Sequence, residues 1–155
     1  MNQLSAAASS TRGLFGGGVN TNLIEFVTIA TGGDAVDFGN LINEKWMGDG
    51  GLSSSTRALF AGGYTPGSIL ASIDYVTIAT LGNAQDFGDL TDARQQIAST
   101  SSLTRGVVSG GEAPGISNII EFVTIASTGN ASDFGDLITV RFEGAGCSDA
   151  HGGLG

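Results

Sequence analysis

One short segment occurs three times in this chain, and the rest of the sequence is arranged around it. Glu25-Phe26-Val27-Thr28-Ile29-Ala30-Thr31 returns as Asp74-Tyr75-Val76-Thr77-Ile78-Ala79-Thr80, and again as Glu121-Phe122-Val123-Thr124-Ile125-Ala126-Ser127. The spacings are 49 residues (25 to 74) and 47 residues (74 to 121). A second block follows each copy: Asp37-Phe38-Gly39-Asn40-Leu41, Asp86-Phe87-Gly88-Asp89-Leu90 and Asp133-Phe134-Gly135-Asp136-Leu137. Seven residues beyond each phenylalanine stands a basic residue, Lys45, Arg94 or Arg141. A third block precedes each copy: Ser10-Thr11-Arg12-Gly13, Ser55-Thr56-Arg57-Ala58 and Leu103-Thr104-Arg105-Gly106. Each leads through a short apolar run into a glycine pair, Gly16-Gly17, Gly62-Gly63 or Gly110-Gly111. A period of this length marks a repeat architecture, in which one supersecondary unit is stacked on its neighbours. The chain is therefore read as one repeat domain: repeat 1 over 1–44, repeat 2 over 45–93, repeat 3 over 94–140 and a partial repeat 4 over 141–155. In that last piece Cys147-Ser148-Asp149-Ala150-His151-Gly152 aligns with the first block, with His151 in the arginine slot.

Each unit reads as four short strands. The expected positions are near Gln95–Ser99, along Gly106–Ser109, along the threefold segment and around the Asp-Phe-Gly block. Valine, isoleucine, threonine and phenylalanine favour extended backbone, and glycine clusters and Thr65-Pro66-Gly67 punctuate the runs. No stretch carries a helical period or a helix cap. In the third strand Ile24, Phe26 and Thr28 point one way and Val27 and Ile29 the other. Both faces are substantially apolar, so something must cover each. A four-stranded sheet repeated about every 48 residues and stacked face to face is a propeller blade. The expected fold is all-β: three four-stranded blades plus a partial fourth repeat, in a ring completed by oligomerisation.

Composition agrees. Hydrophobic residues make up 41% and charged residues 14%, too apolar for a disordered chain. The 26 glycines have no collagen period and fit many tight turns. The net charge of −9, with Lys45 the sole lysine, repels phosphates and anionic lipid, so neither nucleic acid nor membrane is an expected partner. No apolar run is long enough to span a bilayer as a helix, and the start of the sequence lacks the pattern of a signal peptide. A single cysteine, Cys147, rules out an internal disulfide framework.

The ordered blocks resemble the kelch repeat. The middle copy supplies the basic residue (Arg57), the glycine pair (Gly62-Gly63), the acidic–aromatic pair (Asp74-Tyr75), then an aromatic, a leucine and the next basic residue (Phe87, Leu90, Arg94). The sequence departs from that family at Phe38, Phe87 and Phe134, where kelch units usually carry tryptophan. The resemblance implies a kelch-like propeller. The near-verbatim copies and the Asp-Phe-Gly-Asp-Leu wording also look like glycine-rich repeats of tailed-phage and other viral structural proteins. That likeness implies a virion component, extracellular in the particle.

Three blades fall short of the four to eight or so of a closed ring, and an open arc exposes an apolar face at each end. The expected partner is a second copy, forming a six-blade dimer, with the partial repeat available for strand addition to a neighbour. Other virion proteins are the expected further partners.

Candidate chemistry is sparse. Asp86-Phe87-Gly88 and Asp133-Phe134-Gly135 match a kinase triplet without the rest of the kinase signature, and Gly16-Gly17-Gly18 lacks the lysine and hydroxyl residue of a phosphate loop. The acid pairs Asp86/Asp89 and Asp133/Asp136 lack the dense alternation of a calcium loop, so no metal or other cofactor is expected. Cys147 and His151 lack an orienting third group. Arg12, Arg57 and Arg105 recur with Glu25, Asp74 and Glu121, and charge pairs between them are expected to fix register. Features present in every unit serve the scaffold, as do Phe38, Phe87 and Phe134; catalytic pockets combine unlike groups. The non-repeated residues Trp46, Tyr64, Pro66, Glu112 and Pro114 are the candidate binding residues, the last four in loops that vary among copies. The expectation is a non-catalytic structural virion protein, such as a capsid decoration, fibre or tail component, acting as a self-associating protein-binding scaffold. The alternative is a carbohydrate-binding, host-attachment module; an enzyme ranks last.

Overall fold

The computed structural model describes residues 3–46 and 50–148. The fold is all-β. The first four-stranded antiparallel sheet is a meander of β1 (Ser5–Ala8), β2 (Arg12–Gly16), β3 (Leu23–Thr28) and β4 (Val36–Asn40). The second sheet begins with β5 (Gly51–Ser53) and β6 (Arg57–Ala61), and is interrupted by a small hairpin of β7 (Tyr64–Thr65) and β8 (Ser68–Ile69). It resumes with β9 (Ser72–Thr77) and β10 (Gln85–Asp89). The third sheet has the same plan: β11 (Ala98–Ser101), β12 (Arg105–Ser109), the hairpin β13 (Glu112–Ala113) and β14 (Gly115–Ile116), then β15 (Ile119–Thr124) and β16 (Ser132–Asp136).

The blocks seen in the sequence have distinct local jobs. Each hydroxyl–arginine block is a turn closed by a serine: Ser9, Ser54 and Ser102 accept through Oγ from the backbone N–H of Arg12, Arg57 and Arg105 at 3.2, 3.1 and 3.2 Å. The glycine pair turns the chain where the backbone takes positive φ; in the first unit the turning pair is Gly17-Gly18, at 76° and 126°, not Gly16-Gly17, because Gly16 still belongs to β2. Gly62 and Gly63 have φ of 63° and 112°, and Gly63 donates its N–H to the Arg94 carbonyl at 2.9 Å. The Asp-Phe-Gly block is a β-bulge. Glu25 faces Asp37 and Ile24 faces Gly39, which leaves Phe38 as the extra residue; Phe87 and Phe134 have the same place in their sheets. The bulge turns the phenylalanine toward the neighbouring sheet.

The sheets stack face to face, as two faces of apolar third-strand residues require. Leu14, Ile24, Phe38 and Leu41 of the first unit meet Ala58, Phe60, Val76 and Ile78 of the second. Leu59, Ile73, Phe87 and Leu90 of the second meet Val108, Val123 and Ile125 of the third. The first strands lie side by side, β1 against β5 and β5 against β11. Ser53 N donates to Ser101 Oγ at 3.1 Å, and Ser99 Oγ to Gly51 O at 2.7 Å. Each fully buried aliphatic or aromatic side chain contributes about 1.5–3 kcal/mol, so these two layers dominate the stability.

Three details differ from the sequence expectation. The first strand of the third unit starts at Ala98 rather than near Gln95. Two loops carry hairpins of their own. The tail continues the repeat, shifted by one residue. Gly146 and Ser148 lie against Ser99 and Ser101, as Gly51 and Ser53 lie against Ala6 and Ala8. Ser148 thus takes the place of Ala8 rather than of Ser9. His151 itself lies outside the described residues.

Candidate functional site: the inter-sheet joints and the free faces

Each joint between sheets is centred on one buried ion pair. Lys45 comes after the last strand of the first unit, and its ammonium sits 3.3 Å from Asp74 Oδ1 with both side chains fully buried. Lys45 Nζ also donates to Phe60 O at 3.4 Å, and Asp74 Oδ2 accepts from Ile42 N at 3.1 Å. The next joint repeats this. Arg94 pairs with Glu121, its Nη1 donates to Gly110 O at 2.8 Å, and Glu121 Oε2 accepts from Thr91 N at 2.7 Å. Burial pushes the Lys45 ammonium below its ordinary value, and Asp74 pulls it partly back. Burial likewise lowers Arg94, opposed by Asp92, yet a guanidinium stays charged in proteins.

This corrects the expected pairing of Arg12, Arg57 and Arg105 with Glu25, Asp74 and Glu121. In the ladders Arg57 lies opposite Thr77, three residues beyond Asp74, which is roughly 10 Å along a strand. These arginines instead lie over the aromatic rings of Phe26, Tyr75 and Phe122, at 4.7, 4.8 and 4.4 Å from the centroids. Those rings meet Phe38, Phe87 and Phe134 edge-on, at 5.9, 5.8 and 6.0 Å. Arg12 Nη1 then donates across the joint to Ile78 O at 2.7 Å, and Arg57 Nη1 to Ile125 O at 3.0 Å.

The third unit has the same parts with no described sheet against them. Phe134 is 53% exposed, against 2% for Phe38 and for Phe87. Arg141 and Glu25 are exposed, and neither joins an ion pair among the described residues. The opposite end of the stack also has no described sheet against it: Ile29 is 56% exposed, whereas Ile78 and Ile125 are buried. Phe15, Val27 and Ile29 of that end line a cavity of about 490 Å³ together with Ala145–Ser148 of the tail.

The non-repeated residues gather on the hairpins. Trp46 and Tyr64 stack with centroids 5.1 Å apart and exchange backbone hydrogen bonds of 2.8 and 2.7 Å. Pro66 sits at the tip of the same hairpin, where Gly67 N donates to the Tyr64 hydroxyl at 3.1 Å. Glu112 exchanges backbone bonds with Gln95 in the same manner, and Pro114 turns the second hairpin. The structure thus assembles Trp46, Tyr64 and Pro66, and separately Glu112 and Pro114. A cleft of about 750 Å³ lined by Ser68, Asp92, Pro114 and Asn118 runs between the two hairpins. Asp86, Asp89, Asp133 and Asp136 lie on the edge strands β10 and β16. Cys147 is exposed, its carbonyl accepting from Thr100 Oγ1. Sequence reasoning recorded the series Lys45, Arg94 and Arg141 but missed its role. Its constant place seven residues beyond the bulged phenylalanine was the signal.

No family model and no curated protein matches the chain.

Proposed function

We propose that this chain is a non-catalytic structural protein: a kelch-like propeller segment that self-associates through its free end faces and binds other proteins as a scaffold. The observation that carries this reading is the bareness of both ends. Internal joints bury Phe38 and Phe87, whereas Phe134 and Ile29 stay exposed on faces built to the same plan. Uncovered apolar area of this kind is a partner surface. The charged side chains in the interior are spent on ion pairs that hold sheets together, which leaves the hairpins carrying Tyr64, Pro66, Glu112 and Pro114 as the surface that can differ between partners. The assembly expected is a two-chain, six-blade ring, and the place expected is the virion, as a capsid decoration, fibre or tail component. The virion assignment rests on the likeness of the repeat wording to viral structural proteins. Sedimentation tests the first part: a chain that stays monomeric at about 100 μM overturns self-association. Co-assembly with capsid or tail proteins tests the second.

The carbohydrate alternative rests on Trp46 and Tyr64. Their rings are stacked on one another, which reduces the aromatic platform left for a sugar. A glycan array decides it.

A further inference from the structure

The two bare faces are the two halves of one joint. At the internal joints the basic residue after the fourth strand meets an acid on the next third strand: Lys45 with Asp74, and Arg94 with Glu121. The remaining basic residue is Arg141 and the remaining acid is Glu25, one on each bare face, both exposed. The backbone contacts divide in the same way. Asp74 and Glu121 accept from Ile42 N and Thr91 N, and the equivalent donor on the third unit is Ile138 N. Arg12 and Arg57 donate to Ile78 O and Ile125 O; Arg105 has no described carbonyl of that kind to meet, and the equivalent carbonyl is that of Ile29. Gly82 N and Gly129 N donate to Phe38 O and Phe87 O, and the equivalents are Gly33 N and Phe134 O. Glycine fits the close approach there. A Cβ on Gly39 or Gly88 would overlap Gly82 O or Gly129 O, whereas Gly135 has nothing within 4 Å.

We infer that the first sheet of a second copy docks head to tail on the third sheet, with Glu25 against Arg141 and Arg105 against the Ile29 carbonyl, once the tail has left its seat beside β11. This rests on the self-association reading above and names its contacts. The tail enters because Gly146 and Ser148 stand beside Ser99 and Ser101, where β1 of the arriving copy belongs. Two strands cannot share that seat. β1 is held to β2 at four ladder positions, whereas the described tail meets β11 at the bridge Ser101–Ser148 and through side-chain bonds from Thr100 and Ser101. The tail is therefore the strand that yields, and it acts as a brake on association. The charges are complementary, and the side chains concerned are exposed in the single chain, so reversing them leaves the fold intact.

Sedimentation velocity on the full-length chain tests this, with Trp46 fluorescence checking the fold. Arg141→Glu and Glu25→Arg are each expected to weaken association at least about a hundredfold, as breaking a buried ion pair does. An equimolar mixture of the two variants restores it, because both joints of the ring then pair an acid with a base. Gly146→Val, whose Cβ would overlap Ser99 O, expels the tail and tightens association severalfold. If the wild-type chain associates and both charge variants associate equally well, the joint is wrong while self-association stands. If the mixture fails to restore association, the Glu25–Arg141 pairing is wrong. If Gly146→Val weakens association, the tail is part of the interface and not its brake. If the wild-type chain is monomeric at about 100 μM, self-association itself is overturned, whatever Gly146→Val does.

Discussion

Replacing Asp74 with asparagine isolates the charge at the first joint. Asparagine keeps the shape and an oxygen that accepts from Ile42 N, so the change removes one negative charge 3.3 Å from a fully buried ammonium. Lys45 then has two courses. It stays charged with only the Phe60 carbonyl near it, and losing one partner of a buried pair costs about 3–5 kcal/mol. Or it sheds its proton, and neutralising a lysine of ordinary pKa near 10.4 at pH 7 costs about 4.6 kcal/mol, at 1.36 kcal/mol per pH unit. Both lead to about the same loss. For a chain of this size that lowers the Tm by roughly 6–20 °C. Urea denaturation monitored by the fluorescence of Trp46, the sole tryptophan, measures it. The pH dependence identifies the cause. Burial already lowers the Lys45 pKa in the folded chain, and Asp74 raises it; without Asp74 it falls further. Between that folded value and about 10.4, the unfolded chain holds a proton the folded chain has lost, so stability rises with pH. The deficit of the variant relative to wild type therefore shrinks between pH 7 and 9, by up to about 2.7 kcal/mol. A loss under about 1 kcal/mol, or a deficit that grows toward pH 9, refutes the account. Lys45→Met with Asp74→Leu together returns stability to near wild type or above.

Packing supplies two paired tests. Gly39→Ala places a Cβ onto Gly82 O at φ 147° and is expected to cost more than about 2 kcal/mol, whereas Gly32→Ala, with open space around it, stays within about 0.5 kcal/mol of wild type. Phe87→Ala empties a buried site for about 3–5 kcal/mol, while Phe134→Ala at low protein concentration costs under about 1 kcal/mol. Equal losses in urea titrations would mean that the third sheet is covered even in the dilute chain.

Much of the fold was legible in the sequence because the units repeat. A third strand apolar on both faces, as in Ile73, Val76 and Ile78, needs cover on both sides, and with no helical period in the sequence the neighbouring sheets supply it. The partner of each charge was less legible. Two basic series, Arg12/Arg57/Arg105 and Lys45/Arg94/Arg141, recur with the same period as the acids, so periodicity alone cannot say which series meets them. The stacking of the sheets decides it, by carrying the residue after β4 over the next third strand. The hairpins around Pro66 and Pro114 escaped notice because two-residue strands are too short to show alternation. The glycine-rich tail offered too few apolar residues to fix its alignment, hence the shift by one.

Much of what crosses each joint grips main chain. Arg57 holds the Ile125 carbonyl, Asp74 the Ile42 amide, and Gly129 the Phe87 carbonyl. Main-chain atoms are the same in every copy whatever side chains they bear. A unit deleted between equivalent positions would leave Arg12 facing Ile125 and Lys45 facing Glu121, chemically the same junction as before. Genes for such chains can gain or lose a cassette by unequal recombination without a compensating mutation, while the hairpins on each cassette remain free to diverge.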